Sequence, residues 1–142
     1  MKPILVTALA ALCTTTLSAQ VVCTTQLAGV GCGPQLNVSF TPVGGAGNNT
    51  ITVDVSGLDP AGIGLMAWGQ TALNVPLFGC TAYTDYLWGL HINPDPNGQW
   101  SWSRSWPNSV PGFYRIQVAS LSLNQMGNID ITLSDCLVAQ CQ

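Results

Sequence analysis

Apolar and polar residues alternate with a period of two in several parts of the chain. Apolar side chains occupy every second position in residues 36–40, 51–55 and 129–133, with Asn, Ser, Thr or Asp between them. Successive side chains of a β-strand point to opposite faces, so each stretch predicts a strand with one buried face. Residues 63–68 are apolar almost throughout, which predicts a central strand covered on both faces.

The most pronounced alternation lies in residues 98–121. In its first half, serines 101, 103 and 105 point to one face. The opposite face carries Trp100, Trp102, Arg104 and Trp106. Two prolines and a glycine follow, and then a run rich in aromatic and β-branched residues. This order predicts two strands joined as a β-hairpin.

Turn-forming residues separate these stretches, most clearly in residues 44–49, 57–62 and 93–98. Pro76 argues against a central strand in residues 74–79, and residues 80–92 fit one long strand or two short ones. Residues 20–34 are predicted to be a loop. No window combines a 3.6-residue apolar period with helix caps. The pattern predicts an all-β chain of about eight strands, folded as a single antiparallel β-sandwich of the Ig-like or jelly-roll-like kind.

The first 19 residues have the features of a secretion signal. Lys2 gives a positive start, residues 4–12 are apolar, and Ala19 supplies the small residue at the cleavage point. Threonines at 14–16 interrupt the apolar run, so no membrane-spanning helix of about 20 residues is expected. We therefore expect residues 20–142 to form one exported domain, which is secreted or held at the cell surface or in the periplasm.

Charge and cysteine content limit the partners of this domain. Beyond residue 19 there are two arginines, six aspartates, no lysine and no glutamate. Nucleic acid is excluded as a partner because phosphate binding needs clustered positive charge. A sparsely charged surface favours association, either with itself or with a cell-surface or matrix partner. Five cysteines remain in an oxidising compartment, which predicts disulfides and one residual thiol.

Short glycine, cysteine and proline motifs suggest a relationship. Gly31-Cys32, Gly79-Cys80, Gly98 and Pro107-Asn108 precede Pro111-Gly112-Phe113-Tyr114-Arg115-Ile116-Gln117. In this order the chain resembles, over about residues 30–134, small secreted β-sandwich modules of unknown function common in exported proteins of planctomycete-type bacteria. It departs from them in the Gly33-Pro34 that follows Cys32 and in the additional cysteines of the tail. The resemblance implies no known activity.

The resemblance also implies that Cys32 pairs with Cys80. In the chain-entropy model that bridge would stabilise the fold by about 4 kcal/mol, against about 2 kcal/mol for a bridge between Cys136 and Cys141. We expect Cys136–Cys141 as the second bridge, with Cys23–Cys141 as its rival, and Cys23 as the unpaired cysteine.

Two interpretations fit the tryptophan face of residues 100–106. Trp100, Trp102 and Trp106 could form a flat platform on which sugar rings stack, with Arg104 in a cation–π contact. Alternatively, the tryptophans face the core and the serines face water, which is the ordinary half-buried strand. A second aromatic group, Tyr83, Tyr86 and Trp88, is expected to pack against the disulfide of Cys80.

No catalytic, metal or cofactor site is expected. His91 is the only histidine and could act as a base beside Asp85 or Asp95, but no nucleophile motif accompanies it. Asp95 is expected to lie in a proline-stiffened turn rather than in a calcium loop. The sequence thus predicts an exported non-catalytic β-sandwich with a structural or cell-surface interaction role, or alternatively a carbohydrate-binding module that uses the tryptophan face.

Overall fold

The computed structural model describes residues 23–43, 48–107 and 112–141, and the predicted signal peptide at 1–19 lies outside them. The described residues contain eleven strands and no helix. Their bounds are Cys23–Gly29 (β1), Gln35–Val43 (β2), Asn48–Ser56 (β3), Ile63–Gly69 (β4), Ala72–Leu77 (β5), Cys80–Thr84 (β6), Trp88–Ile92 (β7), Trp100–Pro107 (β8), Gly112–Leu123 (β9), Ile129–Leu133 (β10) and Cys136–Cys141 (β11).

The strands form two main sheets and a small hairpin, all with antiparallel pairing. The six-stranded sheet has the order β1-β11-β9-β4-β7, and β10 pairs with β9. The first half of the twelve-residue β9 pairs with β11 and its second half with β10, so these two strands follow one another along one side of it. The three-stranded sheet has the order β2-β3-β8, and the hairpin consists of β5 and β6.

The apolar inner faces of the two main sheets pack against each other. Val53 and Ile51 of the three-stranded sheet and Met66, Ile116 and Val118 of the six-stranded sheet are at most 1% exposed and belong to one cluster. Burying each such side chain contributes about 1.5–3 kcal/mol. The predicted all-β, disulfide-stapled sandwich is confirmed, although with more strands than the sequence indicated.

The β5–β6 hairpin covers part of the outer face of the six-stranded sheet. Gln117 in β9 bonds to the backbone of β6, and the ring of Tyr83 lies against Gly29 of β1. Gly69, at the end of β4, leaves room for Thr84 and Asp85, which a Cβ would displace. Pro76 is tolerated in β5 because that strand pairs only with β6 and not with the main sheets.

One of the two expected disulfides is confirmed and the other is wrong. Cys32 is bonded to Cys80, as the resemblance implied. Cys141, however, is bonded to Cys23, and Cys136 is the free cysteine and is buried. The expected Cys136–Cys141 bridge and the expected unpaired Cys23 are therefore both wrong, and the rival pairing Cys23–Cys141 is confirmed.

Strand geometry explains the second disulfide. Cys23 and Cys141 are directly opposite in the β1–β11 pair, with Cα atoms 4.1 Å apart. Cys136 and Cys141 lie at the two ends of one strand, about 16 Å apart and pointing to opposite faces, which is beyond the reach of a disulfide. The predicted loop at residues 20–34 is also corrected, because β1 occupies Cys23–Gly29 and its pairing with β11 brings Cys23 to Cys141.

The predicted hairpin in residues 98–121 is also corrected. Its two strands exist as β8 and β9, but β8 pairs with β3 and β9 pairs with β4, β10 and β11. The chain therefore passes from one sheet to the other between them. The turn residues 108–111 lie outside the described part of the chain.

Candidate functional site: an aromatic cluster and a polar pocket

The tryptophan side of β8 faces the core of the sandwich. Trp100 is opposite Val55 and Trp102 is opposite Val53, and both valines are buried. The two tryptophans are half-buried and pack against the core cluster. The platform residues thus share a face with the core, as in the second of the two interpretations of the sequence.

The other two predicted platform residues lie further along β8. Arg104 is opposite Ile51 on the same face of the sheet, but its side chain is exposed. Trp106 is opposite Asn49 in the register, and its side chain lies outside the described part of the structure. Of the predicted platform, Trp100, Trp102 and Arg104 can therefore be placed, and only Arg104 is fully accessible.

An aromatic cluster, which sequence reasoning missed, bridges the two sheets. The ring centroid of Trp68 lies 5.8 Å from that of Trp88, 6.2 Å from that of Trp102 and 6.4 Å from that of Tyr114. Trp88 and Trp102 are 6.5 Å apart. We call these four residues the aromatic cluster. Trp68 is 5% exposed and Trp88 is 44% exposed, so the cluster reaches from the core to the surface.

The three residues of the second predicted aromatic group, Tyr83, Tyr86 and Trp88, lie in different surroundings. Trp88 belongs to the aromatic cluster, the ring of Tyr86 lies over Gly89, and that of Tyr83 lies over Gly29. Trp68 and Trp88 are opposite each other in the β4–β7 pair. The sequence predicts strands in residues 63–68 and 80–92, but no local pattern predicts the pairing that joins Trp68 to Trp88.

The serine side of β8 forms the outer face of the three-stranded sheet. Three of its cross-strand rows consist of polar residues: Asn37, Asp54 and Ser101; then Ser39, Thr52 and Ser103; then Thr41, Thr50 and Ser105. The Ser101 hydroxyl donates to Asp54 Oδ1 over 2.6 Å, and the Thr52 and Ser103 hydroxyl oxygens are also 2.6 Å apart. The outer side chains of β2 and β8 in these rows are exposed, so this face is open to solvent.

A depression of about 660 Å³ lies at one end of this outer face. Polar residues from all three strands line it, together with Asp95 and Gln99 of the β7–β8 loop and three residues of the inner face, Leu36, Val55 and Trp100. We call this depression the polar pocket. Its principal polar residues are Gln35, Asn37, Asp54, Asp95, Gln99 and Ser101.

The loop that carries Asp95 is held in a defined shape. Asp95 Oδ1 accepts hydrogen bonds from the backbone amides of Asn97 and Gln99, at 2.9 and 2.8 Å. The Leu58 amide donates to the Gly98 carbonyl over 3.0 Å. Gly98 has a φ of 71° and lies against the Leu58 carbonyl, where a Cβ would clash. The expected stiff turn is therefore present, and it forms a wall of the polar pocket.

Of the three candidate acid–base residues, Asp85 and Asp95 have structural roles and His91 lies apart from both. Asp85 Oδ1 accepts hydrogen bonds from the Gln70 and Thr71 amides, each 2.8 Å long. The Thr71 amide in particular lowers the pKa of Asp85, with Gln70 contributing. His91 is exposed on β7, opposite Leu65. The hydrogen bonds of Asp85 and Asp95 thus go to backbone amides rather than to His91.

The free cysteine is enclosed beneath the β5–β6 side of the six-stranded sheet. Cys136 is fully buried at the start of β11, opposite Gly29 of β1. Burial raises the pKa of its thiol, and the neighbouring Arg115 guanidinium offsets only part of that effect. The residual thiol that the sequence predicted is therefore shielded from solvent, so it is not placed to bond another chain.

Comparison of the chain with protein-family models, curated proteins and solved structures finds no match. No helix in the described ranges is long and apolar enough to cross a membrane. Within the same ranges, no three His, Cys, Asp or Glu side chains are grouped so that they could hold a metal ion. The aromatic cluster and the polar pocket are two candidate binding sites in the described part of the chain.

Proposed function

We propose that the chain is an exported, non-catalytic β-sandwich with a structural or cell-surface interaction role. Its two disulfides fit an oxidising extracellular environment. One observation carries the proposal: large apolar side chains are exposed together at one end of the six-stranded sheet.

The exposed group, which we call the apolar patch, follows from the strand register. Ile63 is opposite Leu121, which is opposite Ile131, and Leu123 is opposite Ile129, all on the outer face. Ile63 is 48% exposed, Leu123 71% and Ile129 68%, and Met126 at the β9–β10 turn is 82% exposed. Contiguous apolar surface of this kind marks contact sites on soluble proteins. The patch suits attachment to a cell-surface or matrix protein, or to a second copy.

Retention at the cell surface tests this role. Purified residues 20–142 are mixed with washed cells of the producing organism, and the bound fraction is measured after sedimentation. The Leu123→Ser/Ile129→Ser variant is expected to bind at least about fivefold less, since each buried apolar side chain contributes over 1 kcal/mol. Phe78→Ser, at a 68% exposed position elsewhere, is the matched control and should bind normally. Equal binding by all three proteins would contradict the role of the patch.

Carbohydrate binding is a second candidate function, and the exposure of Trp88 favours it. Trp88 presents part of its ring to solvent beside Trp102, and Arg104 is exposed on the same strand as Trp102. Exposed indole rings stack on the apolar faces of sugars. On a glycan array, Trp88→Ala would lose the signal, whereas Phe113→Ala, at a 50% exposed aromatic position, would keep it. A signal unaffected by Trp88→Ala would exclude the aromatic cluster as the sugar site.

A further inference from the structure

We infer that the polar pocket on the serine side of β8 binds a neutral, hydroxyl-rich ligand, namely a saccharide. This inference rests on the proposed function in one respect only: both assume that the chain acts by binding a partner. It places the ligand on the face of the three-stranded sheet opposite the tryptophans. The argument has three parts: the chemistry of the lining, its charge and its rigidity.

The lining presents hydrogen-bonding groups in a regular array. Asn37, Asp54 and Ser101 form one cross-strand row, and Gln35 and Ser56 form the next. Neighbouring strands lie about 4.8 Å apart, and successive rows on one face about 6.6 Å apart. Amide and hydroxyl groups both donate and accept hydrogen bonds, and carboxylates accept them. Sugar hydroxyls also donate and accept, so this mixture can pair with several of them at once.

The charge of the pocket disfavours anionic ligands. Asp54 and Asp95 line it, and no lysine or arginine does. Arg104 projects from the opposite face of β8, and Arg115 lies beside Cys136 in the other sheet. Among the described residues, the half-buried Asp54 accepts one side-chain hydrogen bond, from the Ser101 hydroxyl to Oδ1. Carboxylate oxygens accept charge-assisted hydrogen bonds from ligand hydroxyls.

The pocket is formed before any ligand binds. The Asp95 loop is fixed by its own amide bonds and by the Leu58–Gly98 bond, so little ordering is required on binding. A volume of about 660 Å³ lies within the range of roughly 300–1,000 Å³ usual for small-molecule sites.

The test combines a glycan array of neutral oligosaccharides with titration of the best binder into labelled protein. The protein is made in a bacterial host because Asn37-Val38-Ser39 is an N-glycosylation sequence. Asn37→Ala and Gln99→Ala should each weaken Kd about fivefold, and together at least about twentyfold, as expected for one lost hydrogen bond each. Ser39→Ala, on the same face of β2 but outside the pocket, is the matched control and should leave Kd unchanged.

Trp88→Ala distinguishes this site from the aromatic cluster and should also leave Kd unchanged. If Trp88→Ala abolishes binding while the pocket variants do not, the inference is overturned and the carbohydrate function belongs to the aromatic cluster. If no neutral glycan binds, or if calcium alone shifts the Asp54 and Asp95 amide resonances, the inference is also overturned. The cell-retention test of the apolar patch is independent of all these outcomes, so the two proposals can fail separately.

Discussion

The outer faces of the two main sheets both carry polar side chains, and these have opposite surroundings. On the six-stranded sheet, Gln117 is 4% exposed and Ser134 is fully buried, under the β5–β6 side. On the three-stranded sheet, Asn37, Ser39 and Ser103 are exposed on a face open to solvent. The same alternation of apolar and polar residues therefore leads to a structural layer in one sheet and to a free surface in the other.

The hydrogen bonds show what this difference means. Gln117 Oε1 accepts from the Tyr83 amide over 2.9 Å, and its Nε2 donates to the Thr81 and Ser134 carbonyls over 3.0 Å each. Two of these three hydrogen bonds attach β6, and the third holds the connection between β10 and β11. Within the described residues, the side-chain hydrogen bonds of the polar pocket are the Ser101–Asp54 bond and the amide bonds of Asp95. Polar residues that are satisfied internally hold the fold, and those that are not are available to a ligand.

The largest expected effect is loss of the disulfide that fastens this cover. Cys32→Ala/Cys80→Ala should lower the free energy of unfolding by about 4 kcal/mol, because the bridge spans a sequence separation of 48. Denaturant unfolding measures the loss, and hydrogen exchange should show the Tyr83 amide exchanging faster. Cys136→Ala, which keeps both bridges, is the control. A loss below 1 kcal/mol would mean that the hairpin is held without the disulfide.

Gln117→Leu should have the next largest effect, about 3 kcal/mol. The substitution removes three hydrogen bonds and leaves the Tyr83 amide and two carbonyls unpaired in a buried place. The matched control is Asn37→Leu, an amide-to-leucine change on the outer face of the other sheet, which should change stability by less than about 0.5 kcal/mol. Equal costs in urea unfolding would contradict the distinction between the covered and open faces.

This comparison also shows what the sequence could and could not predict. Alternation is a local property, so it correctly indicated β2, β3 and β10 and the all-β class, and the continuous apolar run at residues 63–68 indicated β4. It told which side of β8 bears tryptophan and which bears serine. Whether an outer face meets water or another element depends on strands distant in sequence. For this reason alternation did not predict that β6 covers Gln117.

The missed strands and contacts have the same cause. β1 reads as polar because much of it is exposed at a sheet edge, so its pairing with β11 and the Cys23–Cys141 bridge were not visible. The aromatic cluster joins β4, β7, β8 and β9, which no local pattern relates. The polar pocket combines three strands with the Asp95 loop, so only its turn was expected from sequence. Long-range pairing determined each of these features.

The thiol of Cys136 provides a third comparison between the covered and open faces. Because it is buried and its pKa is raised by burial, its alkylation by iodoacetamide at pH 8 should be at least about 100-fold slower in the native protein than in denaturant. A cysteine placed on the open face, in Cys136→Ala/Ser103→Cys, should react rapidly without denaturant. Non-reducing electrophoresis should show no covalent dimer of the natural protein. Rapid native labelling of Cys136 would mean that the cover opens readily.

The smallest expected effect concerns Asp85, which follows β6 and holds the turn between β4 and β5. Amide bonds from Thr71 and Gln70 lower the pKa of this carboxyl below its usual value of 3.8. A lowered pKa in the folded state stabilises the fold above pH 3.8, and this contribution is lost as the pH falls through the folded pKa. Asp85→Asn should therefore be less stable than the natural protein at pH 6, with the difference shrinking towards pH 2.

Urea unfolding across this pH range measures the difference in stability between Asp85→Asn and the natural protein, and faster exchange of the Thr71 amide in acid should accompany its decrease. If the difference stayed constant with pH, the carboxylate charge would not be what anchors this end of the β5–β6 hairpin.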